Sequence, residues 1–243
     1  MVASADEAAE AADWFVAMSP LLAEAKVEFT RELSALVART PDGESRAWPV
    51  VHTIQVDGVC DEVIAPALDI PLEVAAAAED AALRIAAELD VTGVLAVELF
   101  ETPGIGAGFL INELAMRPHN TGHWTQDGSV TSQFEQHLRA VLNLPLGATD
   151  ALAPVTVMKN FLGGENQDLY SAYPMALAAE PAAKVHCYGK SVRPGRKIGH
   201  VNLMGSSTAE VDSVRRRATA VAGIIRDGRV TCEEPSAIFE ENA

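Results

Sequence analysis

The chain has 243 residues, 49% hydrophobic and 21% charged, with 34 acidic against 18 basic side chains and a net charge of -16. That length suffices for one large domain or two small ones, and the composition is that of an ordinary globular chain. The acidic balance argues against a nucleic-acid partner, whose backbone needs a basic surface, and no apolar run reaches membrane-spanning length; a local basic pocket for a phosphorylated small molecule stays compatible with both.

Residues 5–18 have the spacing of a short amphipathic helix, with Trp14, Phe15 and Met18 on its apolar side. The acidic opening MVASADEAAEAADW does not read as a signal peptide. Strands are predicted over Glu32–Ala38, Ala47–Ile54 and Val59–Ala65, separated by turns at Pro41-Asp42-Gly43 and Asp57-Gly58. An Ala-rich helix is predicted from Pro71 to Leu89, with proline in its first turn. Gly93–Phe100 and Gly108–Leu114 read as strands joined by a Gly/Pro-rich loop, and Thr131–Leu142 as a helix. Short strand-like runs follow at Val155–Phe161, Lys184–Tyr188 and His200–Met204. Ser207-Thr208-Ala209-Glu210 is a capping box opening a last helix to about Ile225, and residues 228–243 form an acidic tail. A sheet alternating with a few helices implies the α+β class. Cys60, Cys187 and Cys232 are odd in number and lack metal-ligand spacing, which fits a reduced, cytoplasmic setting.

The chemistry concentrates between Asn112 and Gly147. Glu98 and Glu113 sit in the predicted strands VLAVELF and FLINELA. If those strands pair, both carboxylates point into one cleft and suit Mg²⁺, which takes few protein ligands and completes its shell with phosphate and water. The alternative is two solvent-facing acids. Arg117, His119, Asn120 and His123 follow within ten residues of Glu113. Arginine offers a fork for a phosphate or carboxylate, histidine moves protons near neutral pH, and Asn120-Thr121-Gly122 permits a small anion nest. A polar surface loop is the rival reading, with Trp124 as its anchor. Glu24 and Glu32 flank EAKVEFTRE, where the Lys26-Val27 backbone could read an adenine edge; charge runs of this kind usually form a solvated edge. Lys190, Arg193, Arg196 and Lys197 form the one strong basic cluster, either a phosphate clamp or a solvated hairpin turn. Gly104–Gly108 mimics a dinucleotide loop but is followed by no helix, so a hairpin loop is expected there.

The runs NELAMRPHNTGHWT and TSQFEQHLRAVLNLPLG, with RPGRKIGHVNL downstream, resemble the 5-(carboxyamino)imidazole ribonucleotide synthase family, ATP-grasp enzymes of purine synthesis. FTRELSALVAR, WPVVHTIQVDGV and GVLAVELF extend the resemblance over nearly the whole chain. It implies an α+β fold: the ATP-grasp large lobe, an antiparallel sheet with helices, over 1–150, and a small β-rich C-terminal domain over 151–243. Family members are longer at the N-terminus, with a Rossmann-like domain and a small lobe carrying a glycine-rich phosphate loop; this chain is expected to match only the C-terminal part of that pattern. The implied reaction carboxylates 5-aminoimidazole ribonucleotide, using ATP and bicarbonate through carboxyphosphate, with Mg²⁺ and without biotin. By the matching motifs, Glu98 and Glu113 would hold Mg²⁺. Glu24, Lys26, Val27, Glu32, His52, Asn112 and Glu113 would contact ATP. Arg117, His119 and Asn120 would face bicarbonate and the reacting amine, and Lys190, Arg193, Arg196 and Lys197 the ribonucleotide phosphate. The resemblance also implies a homodimer. Ala115 stands where many ATP-grasp enzymes carry asparagine, as in this family, while Met116 and Thr121 replace a commoner proline and serine. Two rival expectations are a chain inactive alone, needing a separate N-terminal chain, and another ATP-grasp purine ligase, against which RPHNTGH and SQFEQHLRA argue.

Overall fold

The computed structural model describes residues 24–230, so the expected helix over 5–18 and most of the acidic tail lie outside the described residues. Strands β1 (Arg31–Arg39), β2 (Ser45–Ala47), β3 (Val51–Val56), β4 (Val59–Ala65), β5 (Gly93–Glu101), β6 (Phe109–Ala115), β7 (Val155–Leu162), β8 (Lys184–Cys187) and β9 (Lys197–Gly205) form one sheet. Its order is β6-β5-β1-β3-β4-β7-β9-β8, with β2 paired to β1. All the ladders are antiparallel. The sheet runs without interruption from the N-terminal to the C-terminal half through the β4–β7 ladder.

Period-two alternation divides the side chains between two faces. One face carries Leu33, Ala35, Val37, Leu95, Val97 and Leu99, packed with Ala78, Ala82 and Ala86 of helix α1 (Leu72–Glu88). Alanines at every fourth residue let that helix sit close to β1 and β5. On the same face, Ile64, Val155, Val157 and Leu203 cluster with Val214 and Ala218 of the last helix, which ends at the left-handed Gly228 (φ 71°). The opposite face carries Leu36, Ala38, Val94, Ala96 and Met158, packed with Trp124 and Ala140. Its covering elements are a 3-10 turn (Asn120–Gly122), helix α2 (Thr125–Gly128) and helix α3 (Gln133–Val141). This second face also displays the polar residues of interest.

Three local differences from the sequence reading have clear causes. The strand expected over Ala47–Ile54 is broken at Trp48-Pro49-Val50, where proline lacks a ladder donor. There the Trp48 indole is buried and donates from Nε1 to Thr131 O at 3.1 Å. Between β7 and β8, Leu169–Ala172 is a 3-10 turn that leads into helix α4 (Tyr173–Ala179), where only strand-like runs were expected; Leu169, Ala172 and Ala176 fill the core there. The box at Ser207–Glu210 opens a 3-10 turn before helix α5 (Val211–Asp227), and its return bond runs from Ser206 N to Glu210 at 2.9 Å. Among the described residues no helix is long and apolar enough to cross a membrane.

Candidate active site

Glu98 on β5 and Glu113 on β6 are register partners, and the row continues through Ser34 on β1. Directly opposed residues of an antiparallel pair share a face. A bulge between Glu98 and Leu99 pairs Leu99 with Ile111, leaving Asn112 as the extra residue beside Glu113. Bulges of this kind re-aim side chains. Glu32 lies on the same face, and Gln55 hydrogen-bonds to it. Burial first, then the negative charges of Glu113 and Glu32, push Glu98 up to about 6, against the opposing pull of Lys197 and Arg117. Among the described residues no group of three or more His, Cys, Asp or Glu side chains is arranged to hold a metal ion. The paired carboxylates nevertheless suit Mg²⁺, which needs few protein oxygens.

The loop after β6 folds back over this row. His119 Nε2 lies 3.1 Å from Glu98 Oε1. Its Nδ1 is 3.0 Å from Thr121 Oγ1 and caps the turn by accepting from Thr121 N; Thr121 Oγ1 in turn is 2.8 Å from Ser34 Oγ. With Nδ1 accepting, Nε2 carries the hydrogen and donates to the carboxylate. Burial, helped by Arg117 and Lys197, lowers His119 to about 4, so the ring is neutral at pH 7. Gln133, fully buried, cradles the turn: it accepts from His119 N (2.8 Å) and donates to His119 O (2.8 Å) and His123 Nδ1 (3.0 Å). Gly122 is required beneath it, since a Cβ there would lie 2.4 Å from Gln133 Oε1.

Further along the face, three imidazoles stack. His200 on β9 is parallel to His123 (4.8 Å between centroids) and to its strand partner His186 (4.6 Å). His186 Nε2 is 2.8 Å from Asp127 Oδ2, which also accepts from Asn202 Nδ2 at 2.7 Å. Tyr188 OH is 2.7 Å from His200 Nδ1. Of the basic run, Lys197 acts electrostatically on Glu98, His119 and His123, and Lys190 acts on His123. Arg196 donates instead to Ser191 Oγ at 2.8 Å, and the Arg193 backbone packs against Gly163.

Glu98, Glu113, Glu32, Arg117, His119, Lys190 and Lys197 thus come together on or over one face. Asn120 lies in the same turn, with its buried side chain set beside the Cys60 thiol. His52 pairs with Leu33 and lies on the opposite face, where burial and the charges of Arg31 and Arg215 lower it to about 4. Glu24, Lys26 and Val27 occupy the irregular segment before β1, with Lys26 paired to Glu28 at 2.8 Å. The sequence carries no local signal for Gln55, Gln133, Tyr188 or His200 at this site. Each is an ordinary residue type whose role is set by a cross-strand or cross-loop neighbour. The adjacent Phe29–Phe100 stack (4.4 Å) is hidden in the sequence for the same reason.

The ATP-grasp domain model matches residues 1–134, and the phosphoribosylaminoimidazole carboxylase C-terminal domain model matches residues 156–214. The chain is 52% identical over 229 residues to the N5-carboxyaminoimidazole ribonucleotide synthase of Mycobacterium leprae, covering 91% of this chain and 52% of the relative. It therefore spans about half the length of the curated relatives it matches. The crystal structure of N5-carboxyaminoimidazole ribonucleotide synthetase from Thermus thermophilus superposes with a TM-score of 0.69 at 38% identity, covering 86% of this chain and 53% of that one. The N5-carboxyaminoimidazole synthase of Aspergillus clavatus, solved with ADP and 5-aminoimidazole ribonucleotide, gives a TM-score of 0.73 at 33% identity, covering 82% of this chain and 52% of that one.

Proposed function

The chain belongs to the ATP-grasp family, and from that premise we propose that it carries the catalytic face of a synthase that carboxylates 5-aminoimidazole ribonucleotide at the expense of ATP. The observation that carries this reading is the direct pairing of Glu98 with Glu113 beneath the Arg117–His119 loop. The activity for which the relatives are named and the Aspergillus clavatus complex with ADP and 5-aminoimidazole ribonucleotide support it.

In this reading bicarbonate attacks the γ-phosphorus of ATP and releases ADP. The carboxyphosphate so formed breaks to CO₂ and phosphate, and the exocyclic amine adds to CO₂, leaving its proton on the released phosphate. Glu98 and Glu113 would hold Mg²⁺, which when bound offsets charge on the ATP phosphates. Arg117 offers its fork to bicarbonate, neutral His119 orients a hydrogen-bond donor, and Asn120 contributes its buried amide. Glu24, Lys26, Val27, Glu32 and Asn112 belong to the nucleotide side of the cleft, with Gln55 orienting Glu32. The charges of Lys190 and Lys197 reach the loop and favour them as the phosphate anchors of the 190–197 run. Carboxyphosphate hydrolyses readily, so the site must keep its reactants close and water out. Family matches on either side of residue 150 favour a division there by sequence, while one sheet crosses it through the β4–β7 ladder.

The test is ADP release by the 243-residue chain with Mg²⁺, ATP, bicarbonate and the ribonucleotide. Release that requires the ribonucleotide and is lost in Glu113→Ala supports the proposal; release indifferent to the ribonucleotide overturns it. The chain spans about half the length of these relatives, so the assay is repeated with the relatives' N-terminal half added; release seen only then would mean that turnover needs groups from that half.

A further inference from the structure

We propose that Tyr188 is a positioning residue for Lys190, holding its ammonium where the phosphate of the ribonucleotide docks. The inference rests on the reading of the 190–197 run as a phosphate clamp.

The geometry has three parts. Lys190 Nζ lies 5.0 Å from the centroid of the Tyr188 ring and 3.5 Å from Lys197 O. Both contacts are to uncharged groups, so they orient the ammonium without neutralising it. Gly189, between the two residues, is in the left-handed region (φ 64°), a conformation that other residues adopt only with strain, and it turns the chain between Tyr188 and Lys190. The Tyr188 ring is itself fixed. Its hydroxyl is 2.7 Å from His200 Nδ1, and its ring tilts against His200 at 5.6 Å and His123 at 5.7 Å. His200 is wholly buried between His123 and His186, so it cannot move away from the phenol.

An exposed lysine has many rotamers, and closing one around a phosphate costs side-chain entropy. A π-face that already orients the stem removes part of that cost before the ligand arrives. The imidazole column thereby acquires a role: it is the rigid backing of an aromatic platform. Hydrogen bonds and stacking along it reach from Asp127 to Lys190, which no pairwise contact at the site requires.

The experiment uses the full chain carrying ¹³C at the lysine Cε positions, the Lys190 signal being assigned by Lys190→Gln. The first readout is the ring-current displacement of the Lys190 ε-protons. It should be upfield in the unmodified chain, largely kept in Tyr188→Phe, which retains the ring, and lost in Tyr188→Leu. The second is a titration with inorganic phosphate followed at the same signal. Affinity should fall about threefold to tenfold in Tyr188→Leu and less in Tyr188→Phe. No displacement in the unmodified chain overturns the pairing. A displacement present in the unmodified chain, with equal phosphate affinity in Tyr188→Leu, overturns positioning. A displacement present but no response to phosphate in any sample overturns the phosphate clamp itself and positioning with it, a pattern distinct from the other two.

Discussion

Glu98 and Glu113 face one another across the β5–β6 ladder, two acids in register at a position where like charges repel. Burial and the Glu113 charge together raise Glu98 to about 6. A folded chain keeps such a pair most simply when a cation completes it. Glu113→Gln should therefore raise metal-free stability by roughly 0.2–1 kcal/mol while abolishing the stabilisation that Mg²⁺ gives the unmodified chain. Urea unfolding with and without Mg²⁺ measures both. An equal metal response in the two proteins would rule out this pair as the metal site.

Gln133 holds the His119–His123 turn through two backbone groups and one imidazole while fully buried. Gln133→Leu should cost about 3 kcal/mol, because buried donors and acceptors lose their partners. It should also broaden the His119 and His123 ring signals, which two-dimensional NMR would register. Unchanged stability would mean that water replaces the amide without penalty.

Glu62 is buried on β4, with its carboxylate 2.5 Å from Arg215 Nε of α5, and it anchors that helix to the sheet. Arg215→Ala should lower stability by about 3 kcal/mol, the low end for a broken buried pair because Arg215 keeps some solvent contact. The double variant Glu62→Gln/Arg215→Ala should recover part of the loss. Chemical denaturation of the three proteins checks the cycle, and a double variant no better than the single would contradict it.

The buried imidazoles set the acid limit of the fold. Burial lowers His52 and His123 to about 4 and His200 further still. The unfolded chain binds protons at these histidines from about pH 6.5, while the folded chain does not until near pH 4 for His52 and His123. Their contribution is complete above pH 6.5 and is lost as pH falls through the 6.5–4 window. Glu98 acts with the opposite sign, since the fold takes up its proton near pH 6, before the unfolded chain does. The denaturation midpoint should fall steeply between pH 6.5 and 4, and His200→Gln should flatten that slope. A slope unchanged by the substitution would place the acid sensitivity elsewhere.

Much of this architecture was legible in the sequence because its signals are local. Asp57-Gly58 and the Gly/Pro-rich loop at 102–108 mark hairpins, and Pro71 and the Ser207–Glu210 box mark helix starts. The pairing of Glu98 with Glu113 was conditional on two strands meeting, and the hairpin between them supplies that meeting. What stayed hidden depends on non-local partners. Trp48 leaves its ladder to reach Thr131 across 83 residues, and Gln133 acquires its role only once the His119–His123 turn lies over it. Histidines at 123, 186 and 200 carry no shared spacing, and the β8–β9 register is what stacks two of them.

The most direct test of the central claim is oxygen transfer from ¹⁸O-bicarbonate to inorganic phosphate during turnover with Mg²⁺, ATP and 5-aminoimidazole ribonucleotide. A carboxyphosphate route predicts one labelled oxygen in each phosphate released, with release lost in Glu113→Ala. Phosphate formed without label would contradict the account, because bicarbonate would then not be the group that attacks ATP.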